Sequence, residues 1–210
     1  LPAQRLTAEE YHIQFVTMDD GLMHHYIDDI YKDETGYLWI STGGGLSRYD
    51  GYKFVHYDMN SSPVAIKGNF VHKVCEDDFN RLWIASEGGL DVLDLWQHQK
   101  VDLFPGIDSL KLSFLDNPVI NIMKDAKGDI WLYTSKIYKI LLSEEGDIRD
   151  VLLYEDDLHA ELFVALADID KDGNVWAGFN NEIFKLFVSE RNELKAVPVS
   201  EKLKFETKIM

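Results

Sequence analysis

The stretch DIDKDGNVW, residues 168–176, sets Asp168, Asp170 and Asp172 on alternate positions ahead of Gly173, the opening pattern of an EF-hand calcium loop. Such a loop needs a bidentate glutamate at its twelfth position. Counting from Asp168 that position is Phe179, and Glu182 comes three residues too late. A different origin for the pattern emerges from the rest of the chain. Trp39, Trp83, Trp131 and Trp176 recur at spacings of 44, 48 and 45 residues, and their surroundings recur with them. The copies read DETGYLWISTGGGLSRYD (33–50), DDFNRLWIASEGGLDVLD (77–94), DAKGDIWLYTSKIYKILL (125–142) and DKDGNVWAGFNNEIFKLF (170–187).

Six residues before each tryptophan stands Asp33, Asp77, Asp125 or Asp170, and three before it Gly36, Asn80, Gly128 or Gly173. Asp-x-x-Gly is a type I turn closed by a residue in the left-handed region, a conformation that asparagine also tolerates. Asp170 and Gly173 are therefore hairpin residues that every copy needs, and no metal is expected at 168–179.

Each copy divides into four short apolar runs separated by turn signals at hairpin spacing. Units of 40–50 residues with four strands, repeated in tandem, predict an all-β fold of β-propeller blades. Blade 1 is expected at about 24–57, blade 2 at 69–104, blade 3 at 117–154 and blade 4 at 162–199. The fourth strands are placed at 54–57, 101–104, 151–154 and 196–199, and the four tryptophans are expected to be equally buried. YHIQFVT (11–17) resembles a fourth strand, as would close a ring, and 200–210 reads as the start of a further blade or a tail. Four blades drawn from a larger, seven-bladed ring would form an open arc. The rival is a closed four-bladed ring in which 11–17 pairs near 183–187.

The bulk numbers narrow the function. A net charge of −16 argues against a phosphate-backbone partner, which needs clustered Lys and Arg, and against anionic membrane surfaces. Cys75 is the only cysteine, so no disulfide forms within the chain. No apolar run reaches the ~18 residues of a membrane span.

Catalytic and cofactor motifs fail one by one. TGGGLSR (42–48) lacks the P-loop lysine and recurs in register as EGGL (87–90), so it is a hairpin turn. His24 and His25 are adjacent and, in an extended strand, would point to opposite sides. His12, His56, His72, His98 and His159 show no metal-ligand spacing, and Cys75 sits in an apolar strand away from any base. No catalytic residue, metal or cofactor is assigned.

One set points to a ligand. Fourteen residues before each tryptophan, where the chain begins the innermost strand, stand His25, Asn69, Asn117 and Leu162. In a propeller these positions ring the mouth of the central channel, and His and Asn suit sugar hydroxyls. With His24 and with Lys67 from the long loop 58–69, His25, Asn69 and Asn117 are the candidate ligand-binding residues. Capping of the strand or of the incoming loop is the plainer role for each. Asp108 and Lys111, on the second long loop 105–117, open on the same face.

DGL (20–22), DETGYLWIST, GGL-x-R-Y-D and G-x-x-F together resemble the regulator-propeller repeats of bacterial two-component sensors, best known from hybrid two-component systems of gut Bacteroidetes. The resemblance covers about residues 11–199 and weakens in the third copy, which lacks GGL, and in the fourth, which has NNEI (180–183) instead. It implies two seven-bladed propellers followed by a β-domain, a membrane span and a histidine kinase. It also implies a periplasmic location in an inner-membrane-anchored protein, and carbohydrate ligands from polysaccharide breakdown. On that reading the segment is a non-enzymatic sensor. Its partners are an oligosaccharide, the remaining blades and kinase module of the parent chain, and in one option a second copy. The alternatives are a lyase of the streptogramin type, which uses a seven-bladed propeller, and a protein-interaction scaffold.

Overall fold

The computed structural model describes residues 15–154, 164–170, 174–179 and 182–199. Its sixteen strands form four antiparallel four-stranded sheets, each ordered as the chain runs. Blade 1 holds β1 (Ile27–Lys32), β2 (Leu38–Thr42), β3 (Gly45–Tyr49) and β4 (Phe54–Tyr57). Blade 2 holds β5 (Val71–Glu76), β6 (Arg81–Ser86), β7 (Gly89–Asp94) and β8 (Gln99–Lys100). Blade 3 holds β9 (Asn121–Lys124), β10 (Ile130–Tyr133), β11 (Ile137–Leu142) and β12 (Ile148–Tyr154). Blade 4 holds β13 (Val164–Ile169), β14 (Val175–Phe179), β15 (Glu182–Val188) and β16 (Leu194–Pro198). The helices among the described residues are three single 3-10 turns.

The first hairpins of blades 1 to 3 form as their sequence predicts, while Gly173 of blade 4 lies outside the described residues. Gly36, Asn80 and Gly128 sit at φ 99°, 58° and 82°, and Gly36 and Gly128 donate their N–H to the carbonyls of Asp33 and Asp125. The aspartate does more than begin a turn. One oxygen accepts the backbone N–H four residues on, at 2.9, 3.1, 3.1 and 2.9 Å in blades 1 to 4. The other accepts the indole N–H of the repeat's tryptophan, at 2.8, 2.7, 2.8 and 2.8 Å. A six-residue spacing thus locks turn to strand through one carboxylate. Asp33, Asp77 and Asp125 are buried, a position that a carboxylate holds only when fully hydrogen-bonded.

Countercharge reaches this carboxylate by different routes. In blade 2, Arg81 Nε lies 2.7 Å from Asp77 Oδ2, and in blade 3 Lys139 Nζ lies 2.7 Å from Asp125 Oδ2. Arg48, Lys139 and Lys185 each place a cation over the indole of their own blade, at 5.8, 5.0 and 5.9 Å from the ring centroid, a favourable cation–π arrangement. Blade 2 carries Val92 at that place and relies on Arg81.

Blades pack face to face in chain order. Trp39, Leu46 and Tyr57 meet Val71, Val74, Leu82 and Ile84 at the first interface. Trp83, Ala85 and Val92 meet Ile122, Ile130, Tyr138 and Val151 at the second. Trp131, Tyr133 and Leu152 meet Val175, Ala177, Phe184 and Leu186 at the third. The inner strands follow one another, β1 beside β5, β5 beside β9 and β9 beside β13, with no comparable contact between β1 and β13. The four blades therefore form an open arc. Residues 15–17 lie in no strand, and Thr17 instead caps the 3-10 turn Met18–Asp20. The rest of the 11–17 segment, and 200–210, lie outside the described residues.

Two expectations need correction. The tryptophans are not equally buried: Trp39, Trp83 and Trp131 are 0–2% exposed, whereas Trp176 is only partly buried. Each indole lies on the face turned towards the following blade, and among the described residues nothing covers that face of blade 4. The opposite end shows the same effect. Ile27 and Ile30 of β1 are 42% and 56% exposed, while the matching Val71 and Val74 of β5 are 0% and 1%.

The fourth strand of blade 2 is Gln99–Lys100, earlier and shorter than 101–104. Beyond Val101, whose N–H still reaches the Val92 carbonyl, the chain turns inward. Phe104 and Phe114 then wedge against Trp83 and Tyr138 at centroid distances of 6.4 Å and 5.0 Å. Burying two rings outweighs two more ladder bonds at a sheet edge.

Candidate binding rim between blades 1 and 2

Inner strands carry one edge unpaired towards the axis, so side chains at their starts converge there. In β1, β5 and β13 the pairing slips by one residue at the same place, between Ile27 and Asp29, Val71 and Lys73, and Val164 and Leu166. A bulge leaves one residue out of the ladder and re-aims it. In blades 1 and 2 those residues are Asp28 and His72. They meet across the blade boundary, His72 Nδ1 lying 2.9 Å from Asp28 Oδ2, with both side chains partly exposed.

Two residues before Asp28 and His72, just ahead of β1 and β5, stand Tyr26 and Phe70. Their rings lie 5.4 Å apart, and Phe70 is 4.8 Å from the His72 ring. Tyr26 is 49% exposed. The rim is thus a run of three rings, Tyr26, Phe70 and His72, the last of them paired with the Asp28 carboxylate.

The residues singled out from sequence hold places around this rim without forming a single cluster. His24 and His25 precede β1 rather than lying in it, so strand alternation does not separate them. Their rings stack at 4.4 Å, and His24 Nδ1 accepts the Tyr26 N–H at 3.0 Å. Gly43 and Gly44 pass so close that a Cβ on either would stand 3.1–3.2 Å from the His24 side chain, which ties the glycine run to this corner. His25 faces a cleft of about 420 Å³ with Val16, Leu22 and Ile27.

Asn69 and Asn117 each hydrogen-bond to the backbone of the loop that precedes their blade. Asn69 Oδ1 accepts the Met59 N–H at 3.0 Å, closing the loop 58–69, and Asn117 Nδ2 donates to the Ser113 carbonyl at 2.6 Å. Lys67 is a strut: its ammonium donates to the Leu115 carbonyl and pairs with Asp116 at 2.9 Å, joining the loops that lead into blades 2 and 3. Lys111 pairs with Asp150 at 2.8 Å. Leu162 lies outside the described residues.

Sequence reasoning passed over Tyr26, Asp28, Phe70 and His72, although a signal existed. An aromatic recurs thirteen residues before the tryptophan as Tyr26, Phe70 and Phe163, directly after His25, Asn69 and Leu162. The pairing of Asp28 with His72 carried no such mark, because it depends on the bulge.

Among the described residues no cluster of His, Cys, Asp and Glu could hold a metal. Asp170 at the opening stretch is occupied as in the other blades, its carboxylate accepting from Trp176 Nε1, Asn174 N and Asn174 Nδ2. Cys75 is buried, which pushes its thiol up to about 12, and Asp77 nearby adds to the shift. No helix among the described residues is long and apolar enough to cross a membrane.

Comparison with known proteins agrees with this architecture. The two-component regulator propeller family matches residues 21–44 and 65–88, segments that contain Tyr26 and Asp28 in the first and Phe70 and His72 in the second. No curated protein matches the sequence. Among solved structures, the extracellular domain of a hybrid two-component system from B. thetaiotaomicron aligns at 25% identity and TM-score 0.61, over 86% of this chain and 25% of its own. A second extracellular domain of this kind from the same organism aligns at 19% identity and TM-score 0.52, over 87% and 31%. Virginiamycin B lyase from Staphylococcus aureus aligns at 14% identity and TM-score 0.55, over 84% and 57%. The last two likenesses establish a common fold and nothing about activity. The chain spans only about a quarter to a third of the length of the two-component relatives. It is a run of β-propeller blades, two segments of which, 21–44 and 65–88, match the two-component regulator propeller repeat.

Proposed function

We propose that this chain is the ligand-sensing part of a periplasmic two-component receptor, that it detects a carbohydrate released from polysaccharide, and that it signals to a histidine kinase module of the parent protein. The observation that carries this reading is the rim itself. The two segments that match the regulator propeller family each contribute one aromatic ring and one hydrogen-bonding side chain to a single exposed surface. Aromatic faces beside a few convergent polar groups are the usual make-up of a small-molecule site. The extracellular setting of the B. thetaiotaomicron relatives supports a place outside the cytoplasm. The open faces of blades 1 and 4 suit further blades of the parent chain, and a second copy is the other partner of this reading.

The test is genetic and direct. Polysaccharide breakdown products should induce transcription through the parent receptor, and the combined change Tyr26→Ala and His72→Ala should abolish induction while leaving receptor levels unchanged. A parent polypeptide without a kinase module, or induction that persists in the double variant, overturns the reading.

A lyase has one observation in its favour. Asp28 holds His72 in the carboxylate–imidazole arrangement that general bases use. Turnover of a streptogramin by the purified protein, lost in His72→Ala, would establish that alternative.

A further inference from the structure

Resting on the glycan reading above, we infer that the rim between blades 1 and 2 takes a neutral sugar, stacked on Tyr26 and hydrogen-bonded to Asp28 and His72, and that it rejects uronate and sulfated sugars. Three observations lead there.

The first is shape. A half-exposed tyrosine ring tilted at 52° to Phe70 gives an apolar wall that matches the C–H face of a pyranose, while the phenol provides a polar tip.

The second is hydrogen-bonding capacity. Asp28 spends Oδ2 on His72, and no described group engages Oδ1. His72 uses Nδ1, and its Nε2 has no described partner. Hydroxyls, which both donate and accept, satisfy this pair, whereas a carboxylate or sulfate only accepts.

The third is charge. The carboxylates at this rim are that of Asp28, beside His72, and that of Glu87, which accepts the Phe70 N–H at 3.2 Å. The cations that could offset them are directed elsewhere. Lys67 is held by Asp116 and the Leu115 carbonyl on the side of blade 3. Lys73 immediately precedes Val74, which is buried in the first interface, and strand alternation turns it to the other side of β5. A net charge of −16 adds a repulsive field over the whole surface. An anionic group brought beside Asp28 would meet like charge in a partly desolvated corner, for a loss of affinity of at least about tenfold.

The experiment is isothermal titration of the 210-residue chain at a pH above the histidine range and moderate salt. The probes are neutral trisaccharides of glucose, galactose, mannose and xylose, set against trigalacturonate and a sulfated heparin fragment. A neutral probe should bind and lose about tenfold or more with Tyr26→Ala. The anionic probes should bind at least about tenfold more weakly than it, and Asp28→Asn should narrow that gap. Both positions are exposed, and circular dichroism checks that the variants remain folded. Anionic probes that bind as tightly as neutral ones overturn the inference and leave the glycan reading standing. Neutral binding indifferent to Tyr26→Ala overturns the placement. Binding of none of the probes removes the glycan reading and this inference with it.

Discussion

Asp77→Ala isolates the device that holds each blade together. Asp77 is buried and accepts the indole N–H of Trp83 at 2.7 Å, Arg81 Nε at 2.7 Å, and the backbone N–H groups of Phe79 and Arg81 at 2.9 and 3.1 Å. Removing it strands a buried guanidinium, whose remaining described hydrogen bond runs from Nη1 to the Gly146 carbonyl at 2.9 Å. Breaking a buried ion pair from one side costs about 3–5 kcal/mol. At ~2–4 °C per kcal/mol for a chain of this size, the melting temperature should fall by roughly 6–20 °C.

Asp33→Ala is the internal control. It loses the matching bonds to Trp39, Tyr37 and Thr35 but leaves no paired cation behind, so about 1–3 kcal/mol is expected. Adding Arg81→Met to Asp77→Ala removes the orphaned charge and should recover part of the loss. Urea unfolding followed by tryptophan fluorescence and by circular dichroism measures all three. If Asp77→Ala costs less than about 1 kcal/mol, or no more than Asp33→Ala, the carboxylate is not the clamp described.

Trp83→Ala should cost about 3–5 kcal/mol, and Trp176→Ala clearly less, because the fourth indole has lost one of its two walls; equal losses would place an unseen cover over blade 4. Burial pushes the Asp125 carboxyl up, but hydrogen bonds from Lys139 and Trp131 win and leave it below the usual range. Its stabilisation is therefore complete above the unfolded value near pH 4 and is lost as pH falls through the lower folded value; Asp125→Asn should flatten the stability profile in that acid window. Cys75 should resist thiol reagents in the native state and react at the rate of unfolding, and fast labelling of folded protein would contradict its burial. Calcium should leave the melting temperature unchanged; a rise abolished by Asp168→Ala would show that the 168–176 turn also binds metal.

The sequence alone determined that the chain is built of four-stranded blades, where the described Asp-x-x-Gly hairpins turn and which strand carries the tryptophan. Those features obey rules that act over a few residues. An aspartate reaches its own turn, a glycine or Asn80 takes up positive φ, and apolar runs alternate with turn signals, so each of four copies repeats the same message. The limit appears wherever two copies must meet. That Asp33, Asp77, Asp125 and Asp170 give their second oxygen to an indole was foreshadowed by a constant spacing of six, yet spacing does not say which way a ring points. The retreat of blade 2's outer strand to Gln99–Lys100 followed from a place for Phe104 and Phe114 that exists only once blade 3 is docked. Lys67 ties two loops together because a loop 48 residues onward offers the Leu115 carbonyl. Asp28 and His72, 44 residues apart, became neighbours through a bulge in each inner strand and the stacking of one sheet on the next. Tertiary packing decided these points, because the partner of each group lies in another repeat and its distance is set by the angle between blades, a quantity that no local pattern encodes.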